Sequence, residues 1–104
     1  MSKIDFDKVY QNAVDKEAGK LIYCSIIELL DKNDYGSIEV VAHGIKINIG
    51  WQKWQRSENC YHIVFTAQRK LRFFFYRKYL KGIKFDITGK DVEYLSAEET
   101  GDYD

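Results

Sequence analysis

The chain has 104 residues, 45% of them hydrophobic and 31% charged, and its basic and acidic side chains cancel to a formal net charge of zero. That length supports one core and not two, and the composition excludes a disordered polyelectrolyte. No apolar run is long enough to span a membrane and the start MSKIDFDKVYQNAV is no signal peptide, so the sequence reads as one cytoplasmic domain, 1–104, without a membrane partner.

The charge is unevenly placed. Residues 1–42 carry five basic and eight acidic side chains, residues 69–84 seven basic and none acidic, and residues 85–104 one basic and seven acidic. A basic block between two acidic ones suits either internal neutralisation or an anionic partner. Cys24 and Cys60 lack the CxxC spacing of metal and redox sites, so both are expected as free structural thiols, with no cofactor and no metal.

Residues 5–32 read as helix, with Asp5 or Asp7 as the N-terminal cap and Asn33, Asp34 and Gly36 at the end. At 100° per residue, Phe6, Val9, Tyr10 and Ala13 share one side, whereas Ile22, Ile26, Leu29 and Leu30 lie well over a quarter turn away. The two stripes predict a kink or break at Lys16–Lys20, where Gly19 has low helix propensity.

From Ser37 the hydrophobic period changes to two. A two-residue turn at His43–Gly44 sets Ala42 against Ile45, Val40 against Ile47 and Ile38 against Ile49 on one apolar face, and Glu39 against Asn48 on the other. Trp51 continues the odd-numbered core face. Trp54 falls in the connection Trp51–Asn59, where an exposed ring beside Lys53, Gln55 and Arg56 would serve recognition.

The segment LRFFFYRKYLKG, Leu71–Gly82, places five aromatic rings in a basic context. Turns at Arg69–Lys70, Lys81–Gly82 and Gly89–Lys90 chain four strands together and pair Leu80 with Ile83, Lys78 with Phe85 and Ile87 with Val92. Alternation then sends Phe74, Tyr76 and Leu80 to the core, and Leu71, Phe73, Phe75, Arg77 and Tyr79 to the opposite face. The expected fold is α+β: an N-terminal helix, kinked or broken near Gly19, packed on one face of a five- to six-stranded antiparallel meander, with 1–4 and 97–104 as flexible termini.

The expected function is that of a small non-catalytic binding protein, a regulator or adaptor. Its predicted contact face is Phe73, Phe75, Arg77, Tyr79, Lys84 and His62, with Trp54 at the edge, recognising a protein partner or a second copy of itself. Stacking rings beside cations also fit single-stranded nucleic acid, the alternative reading of the same face. An enzyme or ligand-binding domain is the third reading. Cys60 and His62 share a strand face at i, i+2, but the sequence places no residue to orient His62 and no loop to hold an oxyanion or phosphate.

Overall fold

A computed structural model describes residues 4–89 and 91–104. Helix α1 (Phe6–Leu21) starts where the Asp5 side chain accepts a hydrogen bond from the Lys8 amide, filling one of the four backbone donors a helix start leaves unpaired. It runs through Gly19, and the break implied by the misaligned stripes falls a few residues later, at 22–25. Helix α2 (Ile26–Asp31) opens there with a reciprocal capping box between Ser25 and Glu28. Its far end is closed by a side chain: Lys53 Nζ donates to the Leu30 and Lys32 carbonyls at 2.7 and 2.5 Å, a cation placed on the negative end of the helix.

Five strands follow in a single antiparallel meander, β1 (Tyr35–Ala42), β2 (Ile45–Gln55), β3 (Cys60–Lys70), β4 (Tyr76–Asp86) and β5 (Val92–Tyr94), in spatial order β1-β2-β3-β4-β5. The α+β fold, with an N-terminal helix on an antiparallel sheet, is therefore as the sequence predicts. The β1–β2 hairpin matches the predicted register pair by pair, Ile38 against Ile49, Val40 against Ile47 and Ala42 against Ile45. Both turn residues have positive φ, 52° at His43 and 75° at Gly44, the backbone of a tight hairpin whose twist follows its strands.

Odd-numbered side chains of β2, β3 and β4 face α1. Ile47, Ile49, Ile63, Phe65, Ile83 and Phe85 close over Val9, Val14, Ala18 and Leu29 to form the core. Trp51 joins this face, its indole N–H donating to the Asn33 carbonyl and its ring lying against the Gly36 backbone so closely that a Cβ there would overlap it. Strand β2 runs on to Gln55, so Trp54 stands on a strand rather than in a long loop, and the connection shrinks to Arg56–Asn59.

The predicted β3–β4 geometry is overturned. Lys81 and Gly82 are interior residues of an unbroken eleven-residue β4, and the register sets Ile63 against Ile83, Phe65 against Lys81 and Ala67 against Tyr79. Gly82 is a close-approach glycine: a Cβ there would sit 2.6 Å from Leu95 Cδ1 and 3.0 Å from the Ile63 carbonyl. The actual turn is Leu71–Phe75, two residues past Arg69–Lys70, held by the Leu71 amide on the Phe75 carbonyl (2.8 Å) and the Phe75 amide on the Arg72 carbonyl (3.0 Å). The β4–β5 register moves with it, to Phe85 against Val92 and Ile83 against Tyr94. Lys90, half of the predicted final turn, lies outside the described residues.

Candidate functional site

With β4 continuous, the residues read as one face occupy three places. The first is the seam beneath α1. Tyr79 is 4% exposed, stacks on Tyr10 at 5.2 Å between centroids and donates its hydroxyl to Asp7 Oδ1 at 2.5 Å. The same carboxylate accepts from Arg69 at 3.1 Å and Arg77 at 2.6 Å. Asp7 thereby draws three residues from two strands onto the first turn of α1, and the Tyr79 hydroxyl and the two guanidinium groups hold its carboxyl below the usual carboxylate value. Tyr79 and Arg77 thus belong to the helix-facing side, opposite to the expected one.

The second place is the even-numbered face, which the C-terminal segment partly covers. Residues 97–104, read from the sequence as a flexible terminus, carry helix α3 (Ala97–Gly101), started by a Ser96–Glu99 capping box. Leu95 seats over Gly82 with its amide on the Gly82 carbonyl, Lys84 pairs with Glu99 at 3.0 Å, and Tyr103 Oη meets His62 Nδ1 at 2.8 Å. His62 and Val64 are buried in consequence. Trp54, 40% exposed, flanks Tyr103 at 6.1 Å between centroids. Beside this pair Gln52, Thr66, Gln68 and Lys78 line an open cleft of about 600 Å³.

The chemistry of this face is that of a clasp. Glu99 is held down to about 2, by the Ser96 amide first and the Lys84 ammonium second. His62 is pushed below its ordinary 6.5, by burial first and by Arg56 second. Both shifts favour the docked tail at neutral pH: its advantage is complete above about pH 6.5, falls as an undocked His62 would take up a proton, and falls again from 4.5 towards 2 as an undocked Glu99 would. Acidification is accordingly expected to release residues 96–103 before the sheet melts, seen by NMR as collapse of the Thr100 and Tyr103 shifts to random-coil values at pH 3. Tail shifts unchanged down to global unfolding would contradict this linkage. His62 makes no hydrogen bond to Cys60 among the described residues, nor do three His, Cys, Asp or Glu side chains there group closely enough to hold a metal ion.

The third place is the tip. The β2–β3 pairing ends at Ile49 with Ala67, where β2 goes on through residues 45–48 paired with β1 alone, and the β3–β4 ladder goes on through Gln68 with Lys78, Arg69 with Arg77 and Lys70 with Tyr76, so these last three pairs form a two-stranded ribbon unpaired with β2. At its end Phe73 is 78%, Phe74 93% and Phe75 67% exposed, with Leu71 and Tyr76 also open. Phe74 and Tyr76, expected in the core, are therefore surface residues. Phe73 has φ 57°, in the left-handed region that a bulky L-residue adopts at a cost of about 1–2 kcal/mol. Replacing Phe73 with Gly relieves that cost and is expected to raise stability by roughly 0.5–1 kcal/mol in urea titration, after the extra unfolded-state freedom of glycine is subtracted. A loss of stability would mean that the ring packs on the protein.

Around this apolar tip stand Lys70 and Arg72, neither in an ion pair among the described residues, with Arg77 and Lys78 one step below. Phe6, at the start of α1, lies under the Arg69 guanidinium at 5.2 Å and widens the apolar base. Of the predicted contact residues the structure keeps Phe73 and Phe75 together in the open and adds Leu71, Phe74 and Tyr76. It sets Arg77 at the base and separates Tyr79, His62, Lys84 and Trp54 from them. Compared with known protein families, with curated proteins and with solved structures, the chain matches none.

Proposed function

We propose that the protein is a non-catalytic binding module whose contact surface is the β3–β4 hairpin tip, presented to a partner surface of opposite charge. The observation that carries this reading is three consecutive phenylalanines left in water inside a basic collar. Monomeric proteins rarely leave contiguous apolar surface open, and fully burying one such ring contributes roughly 1.5–3 kcal/mol, so exposing three forgoes stability that binding recovers. The left-handed backbone of Phe73 adds to the argument, since local strain of this kind clusters at functional segments.

The tip also orients the charge logic. A second copy meeting tip to tip would bring two basic collars together, which opposes the self-association considered from the sequence. The nucleic-acid reading depended on an open stacking face, and two members of that face, Tyr79 and His62, are buried. Photo-crosslinking tests the proposal: benzoylphenylalanine replaces Phe74 in one protein and Tyr23, equally exposed just past the other end of α1, in a second. Crosslinks in the expressing cells are expected at position 74, reduced by Lys70→Glu/Arg72→Glu. Yields at 74 no higher than at 23 would defeat it.

A further inference from the structure

Resting on that reading of the tip, we infer that its partner is the surface of an anionic lipid bilayer, into which Phe73, Phe74 and Phe75 insert to headgroup depth while the basic collar meets the lipid charges. No helix of the described residues is long and apolar enough to cross a membrane, and the inference concerns lying on the bilayer, a different state with different requirements.

Shape is the first argument. Phe73, Phe74 and Phe75 are successive residues of one tight turn, and each ring has more than half of its surface open to water. A rigid protein pocket would have to enclose all three adjacent rings at once. A fluid interface closes around all three, and needs no complementary cavity to do so.

Layering is the second. Going back from the tip, the phenylalanines share the turn with Arg72, Tyr76 and Lys70 form the first strand pair, and Arg69 and Arg77 face each other at the next. Apolar rings at the end with long basic side chains beside and behind them suit a bilayer surface, where aromatic rings concentrate at the interface and Lys and Arg reach back to the phosphates. Each free Lys or Arg held at an anionic leaflet strengthens attachment about fivefold, and Lys70 and Arg72 are both free of ion pairs among the described residues. Acidic residues are absent from 69–84, so no carboxylate within the ribbon is pressed against the lipid, and the Asp7 carboxylate at its base is occupied by Arg69 and Arg77.

The test is sedimentation of the full chain with vesicles of phosphatidylcholine alone and of phosphatidylcholine with phosphatidylserine. Binding is expected to the second kind, to weaken as salt rises, and to fall more than about tenfold both in Phe74→Ser/Phe75→Ser and in Lys70→Glu/Arg72→Glu, with circular dichroism unchanged in each. Absence of binding to phosphatidylserine vesicles, or binding that survives the Phe74→Ser/Phe75→Ser change, overturns the inference. The crosslinker at position 74 separates the two levels of the argument. Protein or nucleic-acid adducts there, without vesicle binding, reject the lipid and keep the tip as a contact surface, whereas no adducts above the position-23 yield and no vesicle binding reject both.

Discussion

Tyr79→Ala is expected to destabilise the fold by about 3–5 kcal/mol, the range for removing a large buried ring, and so to lower the melting temperature by more than about 10 °C. Tyr79 is 4% exposed between α1 and the sheet, and its removal leaves a cavity beneath Tyr10 as well as depriving Asp7 of a donor. Tyr79→Phe keeps the ring and should cost only about 0.5–1.5 kcal/mol for the hydrogen bond. Phe74→Ser/Phe75→Ser, five and four residues away, should stay within about 1 kcal/mol of the parent because neither ring is buried. Urea titrations of the four proteins decide it. If the double serine variant unfolds and Tyr79→Ala does not, the faces of β4 are the reverse of those described.

Gly82→Ala is the second large effect, expected to cost about 1–3 kcal/mol as an overpacking change. Its Cβ would meet Leu95 Cδ1 at 2.6 Å, so the new methyl lifts the leucine that begins the tail clasp, and with it the Lys84–Glu99 and His62–Tyr103 contacts. Leu95→Ala removes the obstructing atoms. In that background Gly82→Ala should cost less than about 1 kcal/mol, because the two sites are coupled through one contact. Equal costs in both backgrounds would show that the Ile63 carbonyl, 3.0 Å from the same Cβ, is what the glycine accommodates. Either result leaves Gly82 inside a strand, whereas a stabilising or neutral substitution would be expected of a turn glycine without positive φ.

These two positions explain where the sequence was legible. In the β1–β2 hairpin, turn letters and alternation agree: His43–Gly44 can take positive φ, and the residues on either side alternate for three pairs. The helix break also followed from its apolar stripes, although Ser25 and Glu28, a capping box visible as S-x-x-E, locate it better than Gly19 does. The failure at β4 came from giving Lys81–Gly82 the meaning of a turn. Gly82 is there for the Leu95 side chain, a contact thirteen residues distant that no local pattern reports. Conversely, the true turn contains no Gly, Asn or Pro, and Phe73 takes positive φ without any residue that favours it. One signal was present: three consecutive phenylalanines have no alternation, and a strand covered on one side has no place for them.

The candidate site divided along the same line. Phe73 and Phe75 were legible as exposed, for a reason of strand parity that does not apply, since they belong to no strand. Tyr79 was lost to the core when the parity of β4 reversed. His62 and Lys84 do lie on the second face, but the acidic terminus occupies their polar groups. The charge blocks allowed the basic strand to be neutralised within the fold, but the terminus was expected to be flexible; it docks instead, with Lys84 paired to Glu99 and Lys78 donating to the Tyr103 carbonyl.

Strand β4 runs unbroken from Tyr76 to Asp86, and that continuity is what expels Leu71–Phe75 into the turn. Cross-strand backbone NOEs measure it directly. Contacts are expected between Ile63 and Ile83 and between Ala67 and Tyr79, with none across Lys81–Gly82; NOEs joining Leu80 to Ile83 and Lys78 to Phe85 would place the hairpin there, return the phenylalanines to a strand and remove the exposed tip.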